Sequence, residues 1–435
     1  MLNIDKKVYD VIGIGIGPFN LGLAAMVDSI PQLNCIFFDQ SSEFNWHAGM
    51  LLPNARLQVP FYADLVTVVD PCSRFTYLNC LKEKRRLFRF AIHENNFVTR
   101  KEYNDYCRWV CGQLDNLHFN HRVVDVHYDE TEEVFTVMVH NLSSDQLLFY
   151  YARHLVIGVG SSPFVPECVR LFDNLRTTTP GRIIHSSDYL FSKDTLLEQS
   201  KITIVGSGQS AAEIFYDLLN YTDHFENLSW FTRSPRFYPM EYSKLSLEMT
   251  SPDYIDHFYS LPLHQKKEVL RKQDALYKGI NFSLINEIYD TLYLKGLEQD
   301  TSFIQLQTNV ELNGLGFNED EIELQLHHSE LEKHFAHSTG ALILATGYRS
   351  TVPSFLDSIK ECIDWVEEDL YNVHRNYSID KTGKRIFVQN AELHTHGFSA
   401  PDLGMGPYRN ATIINSTLGY EYFVMEKNIA CQNFC

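Results

Sequence analysis

The chain carries one nucleotide-binding signature twice, and that repetition constrains its fold more than any other feature. The first copy starts with the β-branched run Val8-Tyr9-Asp10-Val11-Ile12 and breaks at Gly13-Ile14-Gly15-Ile16-Gly17-Pro18. It continues into the compact helix face Leu21–Met26, and a second strand, Cys35-Ile36-Phe37-Phe38, ends on Asp39. The second copy runs Lys201–Val205, then Gly206-Ser207-Gly208-Gln209-Ser210-Ala211, then a helix through Ala212-Glu213-Ile214-Phe215. Its second strand, Leu228–Thr232, ends on Arg233. The first glycine and the strand-end charge lie 26 residues apart in one copy and 27 in the other. Apolar runs of this kind suit parallel strands buried on both faces. Glycines at the strand-to-helix turn let the backbone approach a pyrophosphate, and the helix start offers free N–H groups. Two copies predict an α/β protein with two Rossmann-like dinucleotide-binding domains.

The strand-end charges separate the two sites. A carboxylate at Asp39 can accept hydrogen bonds from ribose hydroxyls. The first turn departs from strict GxGxxG, with Pro18 in the third position, which the first helical turn tolerates because its missing N–H has no intrahelical partner. The second turn satisfies GxGxxA through Gly206, Gly208 and Ala211. A guanidinium at Arg233, with Arg236 close by, can pair with the 2′-phosphate of NADPH, which a carboxylate would repel. The competing reading makes Arg233 a solvated strand-end charge. Opposite charges point to FAD in the first site and NADPH in the second. A redox Cys pair beside the flavin, which a disulfide reductase needs, is not present, and monooxygenation remains.

A net charge of −18 argues against nucleic-acid or anionic-membrane partners. Nine scattered cysteines form no CxxC and no zinc spacing, as in a reducing compartment. Cys107/Cys111 and Cys431/Cys435 have the spacing of helix neighbours. The start of the chain enters a strand directly, and no apolar run approaches the length of a membrane span, so a cytoplasmic protein is expected.

The segments between and after the copies predict a helix over 100–113, a meander over 132–158 and a strand at Ala341–Leu344. The tail from 386 holds a strand, a His/Gly-rich loop and a final helix. The expected division is a split FAD domain, 1–195 plus 345–435, around an NADPH domain at 196–344. A helical substrate region sits inside the latter at about 245–300.

Further marks are Gly15-Ile-Gly17-Pro18-Phe-Asn20-Leu-Gly-Leu-Ala-Ala25, Asn45-Trp46-His47-Ala-Gly49-Met50 and Leu57-Gln58-Val59-Pro60-Phe61. They continue in Asp64-Leu65-Val66, Gly206–Glu213, Ile280-Asn281-Phe282, Ala345-Thr346-Gly347-Tyr348 with Pro353, and His394-Thr395-His396-Gly397. Over nearly its whole length the chain resembles the microbial lysine/ornithine/diamine N-monooxygenases of siderophore biosynthesis, with Gly340 where an Asp often precedes the Ala-Thr-Gly-Tyr strand.

The resemblance implies that NADPH reduces FAD, that O2 reacts at the reduced flavin, and that a neutral primary amine takes up an oxygen atom. It places Gly13, Gly15, Gly17, Pro18, Asn20, Asp39, Trp46, His47, Met50, Gln58 and Ala345–Tyr348 with the cofactors. Gly206, Gly208, Gln209, Ser210 and Arg233 join them on the NADPH side. Asn281 would reach the substrate and the nicotinamide ribose, and Gln58 and Asn281 are the expected catalytic residues. Read as residues, an Asn between Ile and Phe calls for a buried partner. Trp46 and Met50 read equally as core, and His47 equally as a structural histidine.

The resemblance also bears on the substrate. Amino-acid hydroxylases of this kind carry Phe-Leu-Lys-Asp-Leu-Val, whose Lys grips the α-carboxylate. Here the segment is Phe61-Tyr62-Ala63-Asp64-Leu65-Val66. A carboxylate brought into such a pocket without its cation loses solvation that nothing offsets. Putrescine or cadaverine is therefore expected, ahead of lysine, ornithine, histamine or diaminopropane, with O2 as co-substrate and a homo-oligomer as the assembly. A Baeyer–Villiger or sulfide monooxygenase and a non-catalytic FAD/NADPH-binding protein are the alternatives. His394 and His396 offer two ligands without an obvious third, so no metal is expected.

Overall fold

The computed structural model describes residues 7–171, 181–318 and 320–434. Strand Val8–Ile14 lies between Cys35–Phe38 and Gln146–Ile157, parallel to both. Its residues from Val11 onward are buried, as a strand covered on both faces requires. The tail strand Ile386–Val388 adds in parallel to the end of Gln146–Ile157, so the first sheet is closed by residues far along the chain. The earlier half of Gln146–Ile157 forms the expected meander with Val134–Asn141 and His121–Asp129.

The second sheet is parallel throughout, in the order Ile304–Gln307, Asn227–Phe231, Lys201–Val205, Ala341–Leu344, Ile183–His185. Its edge strand thus begins before the expected boundary at 195. Ile184, Tyr189 and Leu196 pack in the core of the second domain, because the partner of that strand is Ala341–Leu344. An antiparallel sheet of Val310–Asn318, Glu321–His328 and Lys333–Thr339 covers one face, packing Leu312, Leu324 and Leu326 on Val205, Leu342 and Leu344.

The helical region comprises Pro252–Ser260, Leu263–Lys272, Asp274–Tyr277 and Phe282–Glu298. Tyr254 and Phe258 pack on Phe398, so this insertion of the second domain rests on the tail of the first.

Helix Arg100–Cys111 shows how local sequence sets a boundary. Thr99 and Glu102 form a reciprocal capping box, a device that contributes about 1 kcal/mol. Tyr103, Tyr106, Cys107 and Val110 then recur at i, i+3, i+4 and i+7 and form its buried face. The helix ends at Cys111, two residues short of the expectation. Cys107 and Cys111 share it, whereas Cys431 lies in a bend and Cys435 is outside the described residues. No described helix is long and apolar enough to cross a membrane.

Candidate active site

Both glycine turns open onto a helix start that no side chain caps. Helix Pro18–Val27 begins after Gly17, and helix Gln209–Leu218 begins after Gly208. A side chain at Gly17 would meet nothing within 4 Å, and one at Gly208 only the Lys278 carbonyl at 3.5 Å. Each turn is therefore an open cradle beneath unpaired N–H groups, the arrangement that receives a pyrophosphate. The flanking glycines serve the backbone. Gly15 has φ +88° against the Gly158 carbonyl, and Gly206 has φ +156° against that of Ala345. Gly13 makes room for the Phe37 ring and so packs strands rather than facing the cradle.

Asp39 stands at the first turn, where its two oxygens accept from the Ile16 amide at 2.6 Å and the Ser41 amide at 2.7 Å. A carboxylate has about four lone-pair sites, so ribose hydroxyls can still be received. Arg233 is 79% exposed, with Glu311 at a loose 3.9 Å. Arg236 stacks over Tyr238 at 4.5 Å. The second turn therefore has a guanidinium in reach of solvent, and the first a carboxylate fixed by its own loop.

Asn20, expected to touch a cofactor, does not face the cradle. It is 1% exposed, and its Nδ2 donates to the Gly15 carbonyl at 2.8 Å, with those of Ile14 and Val156 close by. Its Oδ1 accepts from Gln389, which also donates to Asn410 at 2.7 Å. Three buried amides thus hold the turn from behind. A motif match could not supply this role, since Gln389 and Asn410 stand in segments with no nucleotide signature.

Gln209 is held at both ends of its amide. Its amide oxygen accepts from the Asn281 backbone N–H at 2.8 Å, and its nitrogen donates to Glu213 at 3.0 Å. It positions the Asn281 backbone from the start of the second cradle. Ser210 follows in the first turn of the same helix. Asn281 itself precedes helix Phe282–Glu298 and caps it with no side-chain hydrogen bond. Asn281 is half-buried rather than enclosed, and among the described residues its side-chain amide has no protein hydrogen bond, so it can meet a ligand. Gln58 donates to the Gly279 carbonyl at 3.0 Å and ties the first domain to this same segment.

Glu213 receives Arg100 in a two-pronged ion pair, both contacts 2.9 Å, and Arg100 also donates to the Met50 carbonyl. Met50 is 2% exposed and packed with Leu52, Ala211 and Ala212, so it is core and not a flavin-lining side chain. Trp46 is half-buried, edge-on to Tyr103 at 5.4 Å and to His47 at 4.6 Å. His47 keeps an open side toward the cleft although protein crowds it, and its ring meets Tyr348 at 5.8 Å. That desolvation, with the nearby Arg100 charge, pushes its pKa from 6.5 down to about 4.

Ala345 lies against Gly206, and Thr346 donates to the Phe164 carbonyl. Gly347 accepts from His185 at 3.0 Å, and Tyr348 pairs with Pro163. The Ala345–Tyr348 stretch is therefore the seam through which the chain leaves the second domain for the first. Gly340, ahead of that strand, is hemmed by Gln199 and the Lys201 carbonyl at 3.0–3.1 Å, which leaves little room for a side chain. His394 and His396 lie on the short helix Leu393–His396, not on a strand, and their rings contact the carbonyls of Tyr371 and Arg375.

Ala63, the expected substrate position, is 3% exposed rather than in open space. Its methyl group packs against Gly404, 3.5 Å from where a side chain there would begin. Asp402 Oδ1 lies 3.0 Å from that same point, which keeps the position a glycine, and accepts from the Gly404 amide at 2.7 Å. Neighbouring Asp64 is fully engaged, accepting from Val66, Thr67 and Tyr77. Sequence reasoning passed over Asp402, which sits in a loop without a motif.

The L-lysine 6-monooxygenase/L-ornithine 5-monooxygenase family model matches residues 7–350. The putrescine N-hydroxylase of Shewanella oneidensis is 49% identical over 432 residues, 99% of this chain and 85% of that protein. The cadaverine monooxygenase of Erwinia amylovora, solved with FAD, superposes with a TM-score of 0.94 at 47% identity over 98% of each chain. The ornithine N-hydroxylase of Kutzneria sp. 744, solved with reduced FAD, NADP+ and L-ornithine, gives 0.86 at 25% identity over 95% of this chain and 99% of that one. With two uncapped cradles of opposite charge and a match over most of its length, the chain belongs to the L-lysine 6-monooxygenase/L-ornithine 5-monooxygenase family.

Proposed function

We propose that the protein hydroxylates one primary amine of a short diamine, putrescine or cadaverine, in hydroxamate siderophore biosynthesis, using FAD, NADPH and O2. The observation that carries this reading is the pair of open helix starts, one beside Asp39 and the other beside Arg233. The first cradle would hold the FAD pyrophosphate, with Asp39 toward the ribose. The second would hold NADPH, with Arg233 on the 2′-phosphate. Bound flavin, reduced by NADPH, supplies the activated oxygen.

The rest falls to the chain. Asn281, held at its backbone by Gln209, orients the amine through a side-chain amide that has no protein partner among the described residues. Gln58 holds the Gly279 end of that segment against the first domain. His47, with its lowered pKa, stays neutral near pH 7 and adds no positive charge to a site that must admit a cationic substrate. At Ala63 there is no ammonium to receive an α-carboxylate, which favours diamines over lysine and ornithine.

Helix Phe282–Glu298 exposes Phe282, Tyr289, Tyr293 and Leu297 at helical spacing on one face, which supports a homo-oligomer.

Hydroxylamine formation measured side by side on putrescine, cadaverine, diaminopropane, histamine, lysine and ornithine tests the reading. Diamines should lead, and an amino acid ahead of every diamine would overturn it.

A further inference from the structure

We infer that residues 428–434 are a clamp that fixes the segment carrying Asn281, so that this distant stretch of chain governs how well oxygen transfer is coupled to the amine. The inference rests on the reading of Asn281 as the residue that orients the amine. Residues 428–434 form neither helix nor strand, and a surface stretch of that kind stays loose unless something ties it down. Here two carboxylates take five consecutive backbone amides. Asn428, Ile429 and Ala430 donate to Asp253 at 3.1, 2.8 and 2.9 Å. Cys431 and Gln432 donate to Glu248 at 2.8 and 3.0 Å. The Gln432 side chain adds bonds to Glu248 at 3.0 Å and to the Leu245 carbonyl at 2.6 Å. Phe434 then closes edge-on against Tyr254, with ring centres 5.1 Å apart.

Amides outside regular structure need acceptors, and ionised acceptors make the stronger bonds. The Cys431 amide, ahead of the Gln432 groups, pulls the Glu248 carboxyl from 4.5 down to about 2, so this anchor is charged at any working pH.

Both anchors lead to Asn281. Glu248 ends the short helix Lys244–Leu247, and the chain just before that helix pairs with Ile280. The Ile280 amide donates to the Tyr238 carbonyl at 2.9 Å, and the Met240 amide donates to the Ile280 carbonyl at 2.7 Å. The second route starts at Tyr254, which is buried beneath Phe434 and whose hydroxyl accepts from Gln273. Gln273 begins the turn of helix Asp274–Tyr277, three residues before Gly279 and Ile280 bring the chain to Asn281. Gln209 and Gln58 hold this segment from the two cradle domains, and the clamp holds it from a third side.

The competing role is a general brace for the helical region. Two proteins separate the roles: a chain ended at Lys427, and the full chain with Glu248→Ala and Asp253→Ala, which keeps the segment but frees it. With FAD loaded, cadaverine saturation, hydrogen peroxide release, stopped-flow reduction by NADPH and hydrogen exchange are compared with the parent. In both proteins we expect half-saturating cadaverine and the peroxide share to rise about three- to thirtyfold, with flavin reduction within about twofold. Exchange should quicken at residues 238–242 and 278–282 and stay slow in strands Val8–Ile14 and Lys201–Val205. Parent-like saturation and coupling in both proteins, where Asn281→Ala does uncouple, overturn the clamp and leave the reading of Asn281 standing. Flavin reduction and melting temperature that fall together with hydroxylation mark a general brace and overturn it too. Full coupling in Asn281→Ala removes the reading beneath the clamp, and the clamp with it.

Discussion

Arg100 and Glu213 join the two domains through a buried, two-pronged ion pair, with side chains only 12% and 3% exposed. Arg100 opens a helix of the first domain, and Glu213 lies in the helix that starts the second cradle. Removing one partner strands a buried charge, so Arg100→Met should cost about 3–5 kcal/mol in chemical or thermal unfolding. Arg100→Met with Glu213→Leu should recover much of that loss. A double variant no more stable than the single would show that the pair is not the source of the cost.

Coenzyme choice should follow Arg233. Arg233→Ala removes a charged hydrogen bond of about 1.5–3 kcal/mol to the 2′-phosphate, so NADPH should weaken roughly ten- to a hundredfold. NADH should be nearly unaffected, because it lacks that phosphate. Flavin reduction rates over a range of each coenzyme give the answer, and equal losses would take Arg233 out of the site.

Asn281→Ala should leave the melting temperature close to the parent's, since among the described residues the side chain has no hydrogen-bond partner and does not cap its helix. Half-saturating amine concentration should rise, and oxygen should be diverted to hydrogen peroxide. Stopped-flow reduction by NADPH should change less than hydroxylation. Full coupling of NADPH use to hydroxylamine would mean that the residue does not position substrate.

Acid should destabilise the fold partly through His396. Burial, ahead of the Arg375 and Arg409 charges, holds its pKa well below 6.5. Above pH 6.5 the ring is neutral folded or unfolded, and it contributes no slope. Below 6.5 the unfolded chain takes a proton that the folded one refuses, so stability falls as pH drops. His154 and His394 are shifted the same way, so His396→Gln should lessen the slope between pH 7 and 5 without abolishing it. Melting curves across that range measure it, and an unaltered slope would refute the assignment.

Tyr293→Glu with Leu297→Glu places charge on the exposed face of helix Phe282–Glu298. Light scattering should show a smaller particle than the parent's if that face is an interface. No change in mass would exclude it.

The strands and glycine turns were legible because their signals are local: a buried strand must be apolar, and a close turn must be small. Thr99 and Glu102 fixed a helix start for the same reason. What stayed hidden depends on partners distant in sequence. Asn20 sits inside a nucleotide motif yet bonds Gln389, and Gln209 sits in another yet bonds Asn281. Met50 could be read as core or as cofactor lining, because a motif gives proximity to a site but not burial. Ala63 packs against Gly404 across more than three hundred residues, a contact that no local signal carries.

The amide trio behind the first turn sets an order of assembly. Gly15 and Asn20 leave the ribosome early, but Gln389 and Asn410, which steady them, and strand Ile386–Val388, which closes the sheet, leave near the end. A nascent chain stalled before residue 386 carries the whole glycine signature and no finished floor beneath it. Flavin capture during synthesis should therefore wait for the tail, and release of the polypeptide should nearly coincide with the moment the cofactor can be held.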